Sequence, residues 1–161
     1  MVWIDTSNMK DKHESKKKGG SYCNHAENTI IKKMLTKLNE AGQLSSVNMG
    51  IITGYRGQKD LLTKTVKNNG FDKVAKEIDI NTLDAFQGRE NNIIIYSTVR
   101  TKNSIGFQKE KERVNVAFSR AKDLLIICGD LNFFYQFDDS DNKFIEIIDY
   151  ITEHSEECQI I

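Results

Sequence analysis

Asn81-Thr82-Leu83-Asp84-Ala85-Phe86-Gln87-Gly88-Arg89-Glu90 leads into the apolar run Ile93-Ile94-Ile95-Tyr96-Ser97-Thr98-Val99-Arg100. A polar connection then reaches Arg113-Val114-Asn115-Val116-Ala117-Phe118-Ser119-Arg120-Ala121-Lys122, followed by Leu124-Leu125-Ile126-Ile127-Cys128-Gly129-Asp130. Both apolar runs have strand length, and the first starts without polar alternation, as in strands covered by helices on both faces. Between them, Val114, Ala117, Phe118 and Ala121 recur at helical spacing, which predicts a helix over 111–122 with Arg120 near its end. A glycine loop bearing Gln87, Arg89 and Glu90 precedes the first run. This order suits the holding of a phosphate and a ribose at one edge of a parallel sheet.

Working outward, the flanks repeat the alternation of strand and helix. Val2-Trp3-Ile4 reads as a short strand with no lead-in, so the chain is expected to be a piece of something larger. Lys10 to Gly20 is lysine-rich and broken by Gly19-Gly20, and reads as a solvated surface loop. Asn24 is a predicted helix N-cap, with Glu27 three residues on completing a capping-box-like pair. Ile31, Met34, Leu35 and Leu38 form the buried stripe of that helix, and Gly42 ends it. A strand at Met49–Thr53 runs into Gly54-Tyr55-Arg56-Gly57-Gln58 and a second helix carrying Leu61, Leu62 and Val66. Ile78–Leu83 is a third strand, and a last helix presents Phe144, Ile147, Ile148 and Ile151 on one face. Alternating strands and helices predict a layered α/β domain with a mostly parallel sheet and helices on both faces. In such sheets ligands bind at the carboxyl ends of the strands, and the polar motifs are expected to converge on that one edge.

The 161 residues fit one domain with a real core, and 39% hydrophobic with 29% charged residues is ordinary for a globular protein. Lys+Arg and Asp+Glu are equal at 23 each, but they are not evenly spread. Arg100 to Lys122 holds seven basic and two acidic residues, whereas Asp138 to Glu157 holds eight acidic residues opposed by Lys143 alone. That asymmetry is compatible with a localised anion-binding face, and equally with a solvated loop followed by an acidic helix. Cys23, Cys128 and Cys158 are far apart, with no zinc-site spacing, so reduced thiols of a cytoplasmic protein and no protein-bound metal are expected. The apolar runs are too short to span a bilayer.

Three segments carry a family resemblance: Gly50 to Gln58, Asp84 to Glu90, and Asn115 to Lys122. They resemble the second-domain motifs of superfamily 1 helicases, of the branch that includes RNA-surveillance helicases and helicase–nuclease proteins. Gly20-Ser21-Tyr22-Cys23-Asn24-His25-Ala26-Glu27 is similar to a further element of that group. The resemblance covers roughly Trp3 to Asp130 and implies a RecA-like fold, with residues 1–161 forming a single C-terminal motor domain. In that family ATP lies between two such domains and single-stranded DNA or RNA crosses the top of both. The N-terminal RecA-like domain supplies the Walker A loop and the Mg²⁺ ligands, and no G-x-x-x-x-G-K-[ST] occurs here.

The resemblance implies a role for each matching position. Arg120 corresponds to the arginine that reaches the γ-phosphate, a task suited to a planar, permanently charged group. Glu90 corresponds to a ribose contact, Gly88 to a close backbone approach, and Gln87 to the same nucleotide loop. Thr53, Tyr55, Gln58 and Thr82 correspond to nucleic-acid contacts, where hydroxyls and N–H groups suit backbone binding without sequence preference. Arg113 is expected on the helical face of Arg120, and Arg100 either faces the cleft or braces a loop. Relatives commonly have proline where Gly54 stands. The implied function is half of an ATP-dependent helicase motor, inactive alone; the alternative is a degenerate module that binds nucleic acid or protein without motor activity.

Overall fold

The computed structural model describes residues 1–86, 90–137 and 142–161, with the backbone alone for Lys111. Six strands form one sheet: β1 (Val2–Asp5), β4 (Asn48–Thr53), β5 (Glu77–Thr82), β6 (Asn91–Ser97), β7 (Ala121–Gly129) and β8 (Gln159–Ile160). Their order across the sheet is β5-β4-β6-β7-β1-β8, and every neighbouring pair is parallel. The helices are α1 (His25–Glu40), α2 (Arg56–Asn68), α3 (Phe71–Val74), α4 (Lys111–Phe118), α5 (Leu131–Gln136) and α6 (Phe144–Glu153). A two-stranded hairpin, β2 (Ser15–Lys16) and β3 (Tyr22–Cys23), stands apart from the sheet.

Period-two alternation along the central strands divides the core into two halves. Ile52, Ile94, Tyr96, Leu125 and Ile127 pack with Val114, Ala117, Phe134 and Phe144 beneath α4, α5 and α6. Ile51, Ile95 and Ile126 pack with Ile31, Leu35, Leu62 and Val66 beneath α1 and α2. The result is the three-layer α/β fold expected from the sequence. Trp3 is fully buried, donates from Nε1 to Gly129 O at 3.1 Å, and meets Phe134 and Phe144 edge-on at 6.0 Å. The first strand is thereby fastened to the α5–α6 side of the core.

Three local expectations change. The Lys10 to Gly20 loop contains the first strand of the β2–β3 hairpin, whose turn is closed by Lys17 N donating to Ser21 O and Gly20 N to Lys17 O. Helix α4 ends at Phe118, so Arg120 lies outside it and directly precedes β7. Arg113 and Arg120 therefore share no helical face. The capping box is only half formed: Glu27 N donates to Asn24 Oδ1 at 3.1 Å, but the Asn24 N–H is taken by Gln58 Oε1 at 2.8 Å.

Glu27 is instead drawn into the core, with no exposed surface. Its carboxyl accepts from Ser97 Oγ at 2.5 Å, Thr98 Oγ1 at 3.1 Å and Val99 N at 2.8 Å. Val99 is buried at φ 70°, a left-handed conformation that is costly for a β-branched residue. Glu27 holds its N–H, and Asn24 Nδ2 donates to its carbonyl at 3.1 Å. The end of β6 is thus bent and locked by the first turn of α1. Burial outweighs these hydrogen bonds and pushes the Glu27 carboxyl up to about 8, so it is mainly protonated at neutral pH.

Gly50, in the middle of β4, leaves a notch: a Cβ there would lie 2.5 Å from Phe86 Cζ and 2.6 Å from Ile94 Cδ1. Phe86, in the 3-10 turn Leu83–Phe86 that follows β5, fills it. We expect Gly50→Ala to destabilise the protein by about 1–3 kcal/mol through overpacking, read as a lower urea midpoint; an unchanged midpoint rejects the notch as a packing constraint. For Glu27, the unfolded carboxyl releases its proton near 4.5 whereas the folded one holds it to about 8. The native state binds the extra proton in that window, so the Glu27 contribution to stability falls as pH rises across it, by roughly 3–5 kcal/mol in total. Glu27→Gln should flatten the melting-temperature profile between those limits, and an equal slope in both proteins would count against it.

Candidate functional site

The chain changes sheet face between two neighbouring strands. β4 leads to α2 on one face, whereas β6, beside it, leads to α4 on the other. The two exits diverge and leave a crevice at the carboxyl ends, the position where open α/β sheets bind ligands. An open cavity of about 640 Å³ lies there. Its walls come from Gly54, Tyr55 and Arg56 after β4, Thr82 at the end of β5, Arg100, Gly106 and Phe107 after β6, and Gly20 to Tyr22 of the hairpin.

Aromatic rings give the cavity its shape. Tyr55 is 4% exposed; Tyr22 meets it edge-on at 5.7 Å and Phe107 lies tilted against it at 5.6 Å. Phe107 keeps more than half of its surface exposed. The Tyr55 ring position depends on Gly106, which sits at φ 63°; a Cβ there would lie 2.1 Å from Tyr55 Oη. No such demand exists at Gly54, where a Cβ would meet nothing closer than 3.8 Å.

Arg100 supplies fixed positive charge. It is 7% exposed, donates from Nε to Glu14 Oε1 at 3.1 Å and from Nη2 to Lys102 O at 3.0 Å, and lies 4.4 Å from the centre of the Tyr22 ring. Glu14 also accepts from Thr101 N at 3.1 Å and from the Thr101 hydroxyl. Removing one partner of such a buried pair costs about 3–5 kcal/mol because the other charge is stranded. Arg100 therefore braces the turn and lines the cavity at once. Arg56 is exposed on the rim at the start of α2, whose first turn carries no acidic residue. Asp84, the carboxylate on the wall, lies 3.5 Å from Arg113 Nε.

The nucleic-acid candidates gather at this end, but two of them are enclosed. Tyr55 and Thr82 line the cavity. Thr53 has no exposed surface, and its hydroxyl accepts from Tyr55 N at 3.4 Å, so it shapes the turn. Gln58 is equally buried: its amide bonds Asn24 N at 2.8 Å, Asn24 O at 3.3 Å and Ser97 Oγ at 2.9 Å, which leaves it no face toward a ligand. It ties α1, α2 and β6 together.

Two of the nucleotide candidates, Glu90 and Arg120, lie at the opposite edge. Glu90 immediately precedes β6 and Arg120 immediately precedes β7; Asn91 and Ala121 are paired, and Asn91 N donates to Arg120 O at 3.1 Å. Both are thus at the amino ends of the strands, and the expected convergence on a single edge gives way to two separated sites. Arg120 is partly buried, and its Nε is enclosed with no hydrogen-bond partner among the described residues. A buried guanidinium N–H without an acceptor is costly and suits an incoming anion. Glu90, half exposed, pairs with Lys122 at 3.2 Å, a surface contact weak enough to exchange for another partner. Gln87 and Gly88 fall outside the described residues. Among the described residues no group of three or more His, Cys, Asp and Glu side chains is placed to hold a metal. No described helix is long and apolar enough to cross a membrane. The three cysteines are buried free thiols, and burial pushes the Cys128 thiol up, away from thiolate chemistry.

Sequence reasoning missed Phe107 and Glu14, gave Tyr22 no role of its own, and missed the structural role of Glu27. Tyr22 and Glu27 lie in the Gly20 to Glu27 segment that carries the resemblance, and Phe107 is the one aromatic residue in the connection from Thr101 to Glu112.

The model of a family described as an AAA domain matches residues 1–132. A regulator of nonsense transcripts 1 homolog from Neurospora crassa is 37% identical over 133 residues, 80% of this chain and 12% of that protein. The Drosophila melanogaster homolog of the same name is 40% identical over 115 residues, 69% of this chain and 10% of its own length. The ATP-dependent helicase upf1 of Schizosaccharomyces pombe is 36% identical over 115 residues, 69% of this chain and 12% of that helicase. The chain spans about a tenth of the length of these curated relatives. With a three-layer parallel α/β fold and a family match over most of its length, the chain belongs to this AAA-domain family, as a RecA-like motor domain of the superfamily 1 helicase type.

Proposed function

We propose that this chain is the second motor domain of an ATP-dependent helicase or translocase, with a nucleotide edge and a strand edge on opposite ends of one sheet. The observation that carries the reading is Arg120: a partly buried guanidinium at the amino edge with an enclosed Nε and no described acceptor. A triphosphate γ-phosphate provides that acceptor, and the guanidinium offers it paired donors in a fixed plane. Glu90 sits one strand away and accepts from the ribose hydroxyls after releasing Lys122. As the family resemblance implies, the Mg²⁺ ion that accompanies the triphosphate is assigned to the N-terminal RecA-like domain across the cleft. Hydrolysis of bound ATP supplies the free energy; this chain contributes charge stabilisation and orientation, and alone it lacks the phosphate loop for turnover.

At the carboxyl edge, exposed Arg56 and the amino end of α2 bring positive potential to the rim, Arg100 lines the wall while paired with Glu14, and Phe107 offers apolar ring surface. A single-stranded nucleic acid matches both features, phosphates toward the positive rim and bases toward the ring. Thr82 and backbone N–H groups add contacts that do not read sequence.

The separation of the edges makes the two activities separable by mutation. In the intact protein, Arg120→Ala should lower nucleic-acid-stimulated ATP hydrolysis by about 10³-fold or more while leaving nucleotide-free strand binding and thermal stability near the unaltered level. The fold tolerates the change because Arg120 contributes to β6–β7 through its carbonyl, not its side chain. Turnover within a few-fold of the unaltered protein would remove Arg120 from the nucleotide site.

A further inference from the structure

Lys16, Lys17 and Lys18 run consecutively through the end of β2 and its turn. A mobile loop would let three like charges spread apart; here a closed hairpin docked on α2 keeps them together. Lys17 Nζ donates to Gly57 O at 2.9 Å, and Gly57 N donates to Ser21 Oγ at 2.9 Å, so both arms of the hairpin are pinned to the first turn of α2. Lys16 Nζ lies 5.9 Å from the centre of the Tyr22 ring, the same ring against which Arg100 rests at 4.4 Å. Lys18 is exposed at the tip. Neither Lys16 nor Lys18 takes part in an ion pair among the described residues. Gly20, Ser21 and Tyr22, the returning arm, form part of the cavity wall. Lys16 Nζ is therefore placed beside a ring of the cavity wall, and Lys18 follows two residues on in the same docked hairpin, so both add positive potential on this side of the cavity, where an anionic ligand is favoured.

We propose that Lys16 and Lys18 form a phosphodiester contact of their own, carrying a single strand from the cavity over the hairpin rim. This rests on the strand-track reading of the cavity and adds a cationic site that the helicase motifs do not contain. Both contacts are to phosphate, so the hairpin contributes affinity without distinguishing bases or sugars.

The test measures binding of fluorescent oligo-dT and oligo-rU to the intact protein by anisotropy over a range of KCl concentrations. Lys17 is left unchanged to keep the hairpin docked. In the double variant Lys16→Gln/Lys18→Gln, loss of two phosphate contacts should make the slope of log K against log[KCl] shallower by about 1.4, with weaker binding of both polymers. The nucleic-acid concentration for half-maximal ATPase should rise while the saturated rate stays the same. A control variant, Lys37→Gln/Lys67→Gln, removes equal charge from exposed positions in the last turns of α1 and α2, and should retain the unaltered slope. Unchanged slope and affinity in the hairpin variant, an equal loss in the control, or a loss confined to one polymer would each overturn the hairpin contact. If the unaltered protein binds neither polymer, the strand-track reading falls, and the hairpin contact with it.

Discussion

The carboxyl of Glu27, buried beneath the end of β6, is the constraint on which the carboxyl edge depends. Three consecutive residues of the exit from β6 turn toward it, and the last of them, Val99, is held at φ 70°. Without a fixed acceptor for the Val99 N–H, an extended continuation would be favoured for a β-branched residue. The bend sends the chain to Arg100, which then reaches Glu14 and the Tyr22 ring. Gln58 completes the knot by joining the α1 cap to Ser97. Helix α1, helix α2, the hairpin and β6 thus meet through hydrogen bonds that exclude water, and the cavity is the space left on their outer side.

Above this knot the sheet acts as a spacer. Six parallel strands have all their carboxyl ends on one side, so polar residues leaving a strand and polar residues entering one belong to different surfaces. β6 has seven residues, which at about 3.3 Å each separates the surfaces by roughly 20 Å.

The fold was legible because burial on both faces writes itself directly into composition: Ile93 to Tyr96 and Leu124 to Cys128 have no polar alternation to confuse with anything else. Asn24 was legible as a cap because its role is local, made with Glu27 N three residues on. The fate of the Glu27 side chain was not, since its partners lie 70 or more positions away. The same holds for Arg100, Glu14 and Tyr22, which come together only after the sheet has formed. Two misreadings had a visible cause. Helical periodicity through Ala121 extended α4 too far, because Ala121 repeats the apolar spacing while already serving as the first residue of β7. The single edge was an error of direction: Glu90 and Arg120 stand before strands, and in a parallel sheet that alone assigns them to the amino side.

The packing of Phe86 into the notch over Gly50 has a mechanical consequence. Thr82 ends β5 at the carboxyl edge, and four residues on Phe86 is anchored against the middle of β4. A short turn fixed at its far end to a stiff strand yields to displacement by rotation about the fixed point rather than by stretching. Leu83, packed in the same core cluster, limits that rotation on the cavity side. The turn after β5 thus has the form of a short lever, and the missing side chain at position 50 is its fulcrum.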